Sequence, residues 1–279
     1  MGKLPLMSTS AAERVTVYIP TRNRVGLLRE ALASVEAQTY PDIEIIVVDD
    51  ASDDGTADFL AGHASRFPFR RIRHDAPRGA NAARNAAIRE ASGRFVTGLD
   101  DDDRFHPDRI RRLLDAWDDR WSMVTSDDIL TTASGDVRWR KQRVISADDL
   151  LVRNRIGNQA LTLRERVMAV GMFDESLTAA QDHDLWIRLS HRFGDALAVP
   201  EALQTVRATH AGDRITRSRN TGYYDLYRKH KGRMSRAQRA FHLFTIRRQQ
   251  GKRHTPAQFL RWVPVRFMAM ELRKAWLGI

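Results

Sequence analysis

Three features of the sequence predict an α/β fold, with a mixed, mostly parallel sheet flanked by helices and a basic helical extension at the C-terminus. β-branched apolar runs alternate with helix-spaced segments along the first hundred residues. Two of those runs, VTVYI at 15–19 and IEIIVV at 43–48, alternate too little for half-exposed strands and suit a parallel sheet covered on both faces. Polar groups cluster just after each run, where open α/β sheets bind ligands.

Taken in order, the strand at 15–19 is broken by PTRNR, and Leu28, Leu32 and Val35 recur at helical spacing over 25–38. Pro41-Asp42 precedes the strand at 43–48, and the polar turn DDASDDGT leads into a helix over 57–64. A short strand follows at 70–73. Alanine and arginine, both strong helix formers, predict a helix over 82–89 that places Arg84 and Ile88 one turn apart. A strand ends at Leu99, and a helix runs from about Pro107 to Trp117. Beyond it we expect a strand at 121–125, a hairpin over 129–138 turning at Ser134-Gly135-Asp136, a short helix over 147–153 and a strand over 157–163. An amphipathic helix starts at Asp182, an edge strand covers 202–208, and helices follow Thr221, with Tyr223, Tyr224 and Tyr227 as a core stripe.

Composition narrows the function. With 279 residues and 42% hydrophobic content the chain can bury a sizeable core. It has no cysteine, which excludes disulfides, thiolate metal sites and cysteine nucleophiles. No run is long enough for a secretory signal or a membrane span, so a cytoplasmic protein is expected. The net charge of +11 is unevenly placed. Residues 205–279 carry 18 Lys and Arg against 3 acidic residues, which leaves the first 204 residues at −4. The tail from Pro256 to Ile279 mixes Trp, Phe and Leu with Arg and Lys, a pattern that suits an anionic membrane interface and equally suits packing on the body or on a second subunit. It contains no nucleic-acid reading motif, and the acidic body would repel a phosphate backbone.

The chemistry concentrates at GLDDDD, residues 98–103. Four carboxylates in a row at a strand end repel one another and call for a cation, with Mg²⁺ or Mn²⁺ the natural candidate. An acidic loop capping the next helix is the other reading. Arg84 is a candidate phosphate contact or a solvated arginine. Asp182 is a helix cap or a general base, and His210 a metal ligand, a diphosphate contact or a solvated loop histidine. Neither G-x-G-x-x-G after the first strand nor a P-loop is present, so a nucleotide would have to be held by side chains.

Together, VTVYIPTRNR, IEIIVVDDASDDGT, RGANAARNAAI, GLDDDD with PDRI, and FDESLTAAQDHDLWIRL resemble the inverting glycosyltransferases of family 2, which have the GT-A fold. The resemblance runs over about residues 14–215 and leaves 216–279 as the basic extension. It implies a nucleotide-sugar donor and a glycan acceptor in cell-surface polysaccharide or lipopolysaccharide assembly, while the basic tail, with no span and no signal, points to the inner face of the cytoplasmic membrane, where a lipid-linked acceptor would be met. It implies Pro20, Thr21, Asn23 and Asp50 around the base and ribose, with Arg84, Asp100 and Asp101 toward the nucleotide sugar. It implies a metal on Asp102 and Asp100, to which His210 is the third candidate read from the loop itself, and it implies Asp182 as the base. The usual Glu-Asp pair here reads Gln181-Asp182, which predicts a lower pKa for Asp182 by removing a like charge. A sugar-phosphate nucleotidyltransferase of the same fold is the alternative, and it would need a richer glycine loop than PTRNRVG.

Overall fold

The computed structural model describes residues 13–207, 219–249, 255–263 and 268. Its first half alternates β1 (Val15–Thr21), α1 (Val25–Glu36), β2 (Ile43–Asp49), α2 (Thr56–Gly62), β3 (Phe69–Arg73), α3 (Ala80–Glu90) and β4 (Phe95–Gly98). The middle comprises β5 (Arg104–Phe105), α4 (Arg109–Asp115), β6 (Val124–Thr132), β7 (Gly135–Trp139), β8 (Val144–Ile145), α5 (Ala147–Leu150), β9 (Thr162–Leu163) and α6 (Arg164–Ala169). Then come α7 (Gln181–Phe193), β10 (Ala196–Arg207), α8 (Arg219–His230), α9 (Arg236–Gln249) and α10 (Pro256–Trp262).

The strands form two sheets. In the first, β3, β2, β1 and β4 lie parallel in that order, with antiparallel β9 beyond β4. All seven residues of β2 are buried, as the unalternating IEIIVV run predicts. Pro20 lies past the last β1–β4 pair, Tyr18 with Gly98, where β1 has lost that neighbour. The second sheet runs β5-β10-β6-β7, with β8 also on β10. One hydrophobic cluster packs α1 against β1 and β2, and another packs α3, α7 and α8 on the opposite face.

Several sequence expectations change. The strand at 121–125 and the first arm of the 129–138 hairpin are one strand, β6. Only 162–163 of the expected 157–163 strand pairs with β4, because Asn154 Oδ1 accepts from the N–H groups of Ile156 and Gly157, and Gly157 adopts φ 95°. The strand expected at the sheet edge over 202–208 begins at Ala196 and is interior, between β6 and β5. Pro200 lies in a register irregularity between Val199 and Ala202, and the expected strand covers only the part of β10 beyond it. The two-residue strands β5 and β8 are too short to carry a periodic signal. The tyrosine stripe is not core either. Tyr224 is exposed and Tyr223 and Tyr227 are half-buried, while Leu226 between them is fully buried. Farther on, α9 and α10 share a small cluster in which Phe241, Phe244 and Val263 cover Val152.

Candidate active site

The exits of β1, β2 and β4 lie on one edge of the first sheet, which is where parallel strands deliver their C-terminal loops. Asn23, in the left-handed region at φ 54°, stitches two of these loops together. Its backbone N–H donates to Ser52 Oγ at 2.9 Å, and its Oδ1 accepts from the Asp53 N–H at 2.8 Å. Asp50 is buried and accepts from His74 Nδ1 at 2.7 Å and from the backbone N–H groups of Arg78 and Gly79, both at 2.8 Å. It thereby fixes the loop that leads into α3. Pro20 and Thr21 close the end of β1 beside it.

The four aspartates separate by direction. Asp101 and Asp103 turn inward and are buried. Asp101 accepts from Thr21 Oγ1 at 2.8 Å and from Arg24, and burial nonetheless pushes its pKa up to about 6. Asp103 accepts from Asn158 Nδ2 at 2.6 Å, Gln204 Nε2 at 3.3 Å and the Arg207 N–H at 3.0 Å; burial, then Asp100 and Asp102, raises its pKa well above the usual range. Asp100 and Asp102 keep side-chain exposures of 24% and 11%, so they are the two with access to a ligand. Asp102 pairs with Arg24 at 3.0 Å, and Asp100 with Arg84 at 2.9 Å. Among the described residues no three histidines or carboxylates converge on one metal position. Two accessible carboxylates fit a hard divalent ion that takes its remaining ligands from phosphate and water. His210 lies outside the described residues.

Arg84 is buried beside Asp182, Asp100 and Tyr18, with no hydrogen-bond partner for its Nε among the described residues. Its guanidinium stands 5.3 Å from the Phe173 ring centroid. Gly98 is the residue that allows this crowding, because a Cβ there would stand 2.2 Å from Gln159 Oε1 and 2.6 Å from the Tyr18 ring. On the same helix as Arg84, Asn81 Nδ2 donates to the carbonyls of Asp174 and Leu177. Asn85 both donates to the Phe173 carbonyl and accepts from its N–H. Helix α3 therefore holds in place the loop that delivers α7.

Asp182 is the second residue of α7, after Ala180 at φ 59°, and caps nothing. The carboxyl is half-buried, and its Oδ1 is sealed from solvent with no hydrogen-bond partner among the described residues. Burial pushes the Asp182 pKa up to about 7, Arg84 opposes this, and Asp100 adds to it. The expected lowering is thus reversed: Gln181 removes one like charge, but burial outweighs it and Asp100 supplies another. His183 faces away, with Nε2 donating to the Leu150 carbonyl at 2.6 Å, and is no second base.

Sequence reading missed Arg24, Asn81, Asn85, Asn158, Gln159 and Gln204. Asn81 and Asn85 did leave a trace, since two poor helix formers spaced i, i+4 in an alanine-rich helix ask for a tertiary reason. Asn158 and Gln159 left none, because their partner Asp100 is more than 50 residues away.

A family model described as glycosyl transferase family 2 matches residues 16–175, more than half of the chain. The chain belongs to that family. This family 2 glycosyltransferase is 33% identical over 267 residues to WcaA of Escherichia coli, a glycosyl transferase named for colanic acid biosynthesis, covering 90% of this chain and 94% of that one. Its fold matches that of S. aureus TarS 1–349, solved in complex with UDP-GlcNAc, with a TM-score of 0.69 at 17% identity, covering 91% of this chain and 77% of that one. It also matches the mannosyltransferase PcManGT of Pyrobaculum calidifontis, solved with GDP-Man and Mn²⁺, with a TM-score of 0.59 at 21% identity, over 91% of this chain and 68% of that one. A second S. aureus TarS structure holds a longer chain, of which this chain spans 46%. The fold is therefore the GT-A glycosyltransferase fold, and the enzyme class is glycosyltransferase. No described helix is long and apolar enough to cross a membrane.

Proposed function

We propose that this enzyme transfers a sugar from a nucleotide-sugar donor to an acceptor hydroxyl with inversion, in the assembly of a cell-surface polysaccharide or lipopolysaccharide. The observation that carries this reading is Asp182, a carboxyl with a sealed, unpartnered oxygen and a pKa near 7, beside Arg84 and Asp100 at the strand ends. Such a group is poised to take a proton at neutral pH. The acceptor O–H proton moves to Asp182 as the acceptor oxygen bonds to the anomeric carbon. The bond from that carbon to the diphosphate breaks on the opposite face, and the nucleoside diphosphate leaves. Pro20, Thr21, Asn23 and the loop fixed by Asp50 surround the base and ribose. Arg84 and Asp100 face the donor's phosphate and sugar, with Asp101 behind them orienting Thr21 and Arg24.

Asp102 and Asp100, with His210 as a candidate third ligand, would hold Mg²⁺ or Mn²⁺, which when bound supplies Lewis-acid stabilisation of the leaving diphosphate. Mn²⁺ with PcManGT supports this choice, and UDP-GlcNAc with TarS and GDP-Man with PcManGT support a nucleotide-sugar donor. WcaA supports the polysaccharide context. We assign the catalytic residues to 14–215 and membrane engagement to 256–279, with α8 of the basic extension packed on the catalytic body. The basic residues and exposed Leu260 of 256–279 suit the anionic inner face of the cytoplasmic membrane. No observation favours the nucleotidyltransferase.

The test is thermal stabilisation by a panel of UDP-, GDP- and dTDP-linked sugars, with and without Mn²⁺. One donor class should raise the melting temperature, and only with metal, since a ligand that binds the native state stabilises it. Stabilisation of equal size without metal would remove the metal assignment. No response across the complete panel would remove the donor reading.

A further inference from the structure

Asp184 follows Asp182 by two residues on α7, and positions i and i+2 of a helix do not face the same way. While Asp182 looks toward Arg84, Asp184 is fully buried against α8. Its Oδ1 accepts from His230 Nε2 at 2.8 Å and from Lys229 Nζ at 2.9 Å, both on α8. Its Oδ2 accepts from Arg188 at 2.6 Å, one turn along α7. Arg188 also donates to the Val170 and Met172 carbonyls at 2.7 Å each, and Lys229 also pairs with Asp174. These hydrogen bonds, that from His230 above all, hold the Asp184 pKa well below the carboxylate range despite burial. At the other end of α8, a Cβ on Gly222 would stand 2.2 Å from that of Ala179, and Leu226 is buried in the same cluster as Leu185, Trp186 and Leu189. Asp182 itself has no comparable tether on Oδ1, and Ala180 at the helix start offers no side-chain cap. The position of the Asp182 carboxyl is therefore the position of α7 as a body; Arg188, His183 and Trp186 tie that body to the loops around it, and α8 adds the two donors that hold Asp184, two residues from Asp182.

We propose that His230 and Lys229, reaching from the C-terminal extension onto Asp184, are positioning residues that set where α7 presents Asp182 to the acceptor. This rests on Asp182 being the base. The donor contacts of Thr21, Arg84 and Asp100 lie on other elements, so loosening the clamp separates turnover from donor binding. Asp184 keeps Arg188 when either partner is removed, which spares the fold the full cost of an unpaired buried carboxylate. Lys229 is the milder site, because a cavity of about 510 Å³ between the 174–177 loop and α8 opens beside it.

The experiment compares His230→Ala, Lys229→Met and His230→Gln with the wild type and with Asp182→Asn. Glutamine places an amide N–H close to where Nε2 of histidine donates. Turnover is read as nucleoside diphosphate release, using the UDP-, GDP- or dTDP-sugar that stabilises the wild type and p-nitrophenyl glycosides or water as acceptor. His230→Ala and Lys229→Met should lose tenfold or more in kcat with donor-induced stabilisation unchanged, and His230→Gln should recover most of the loss. Wild-type kcat in His230→Ala would overturn the inference, and so would a parallel loss of kcat and donor binding. Independently of turnover, Trp186 on α7 donates its indole N–H to the Gly157 carbonyl at 2.9 Å, and its fluorescence, isolated by difference with Trp186→Phe, reports where α7 sits. That signal should shift in His230→Ala and return in His230→Gln; an unchanged signal overturns the inference even if no acceptor is turned over. Near-normal turnover by Asp182→Asn would instead remove the base assignment, which is the failure of the parent reading.

Discussion

Asp182 and His183 are adjacent and bend stability with pH in opposite directions. The fold raises the Asp182 pKa to about 7, so it favours the protonated acid; this contribution is complete below about pH 4 and lost as pH rises through 7. Asp182→Asn should therefore match the wild type in unfolding free energy at pH 4 and exceed it at pH 8, by on the order of 1–3 kcal/mol from denaturant titration. The same variant should bind donor but transfer no sugar, and the wild-type kcat should climb with pH toward a plateau above 7. A flat rate from pH 5 to 8 would mean that another group takes the proton. His183 is held neutral, its pKa lowered by burial to about 4, so its contribution is intact above pH 6.5 and is lost as pH falls from there toward 4. His183→Gln should flatten that acid limb of a melting-temperature profile.

Helix α3 shows how one element serves two sites. Its alanines pack against β1 and β2, while Asn81 and Asn85 reach across to the 173–177 loop. Asn85→Ala would leave the N–H and carbonyl of Phe173 without their partners in a buried setting, at a cost of about 2–3 kcal/mol. The expected result is a lower denaturant midpoint together with slower transfer, because α7 follows from that loop. Gly98→Ala tests the other wall of the cleft. Its methyl group would displace Gln159 or the Tyr18 ring, overpacking that costs about 1–3 kcal/mol. An unfolding free energy within about 0.5 kcal/mol of wild type, the size of effect expected at unconstrained surface sites, would show the 157–160 loop to be compliant.

At the scale of the whole molecule, an acidic body meets a basic extension, and the first part of that extension is built into the body's core through Leu226, His230 and Met234. Removing 256–279 wholesale would take Phe259 and Val263 away from Phe244 and Val152, which confuses packing with membrane affinity. Leu243 and Leu260, 41% and 65% exposed, allow a cleaner test. Leu243→Glu with Leu260→Glu should leave the melting temperature within about 2 °C, as unconstrained surface changes do, while lowering recovery on anionic vesicles severalfold. Unchanged vesicle recovery would move the extension's role from membrane to acceptor.

The parallel first sheet, its helices and the strand-end location of the site were legible in the residues because each depends on local pattern. Unbroken runs of β-branched residues mark strands covered on both faces, and four adjacent aspartates mark a concentration of negative charge at a strand end whatever surrounds them. Asp182 was legible too, through its motif, but its pKa was not, because desolvation depends on what covers a group and the covering residues come from elsewhere in the chain. Only the tertiary structure turned Asp100 and Asp102 outward and Asp101 and Asp103 inward, carried β10 into the interior of the second sheet past Pro200, and laid α8 behind α7. Those outcomes depend on contacts across tens of residues, and neither propensity nor periodicity carries information over that distance.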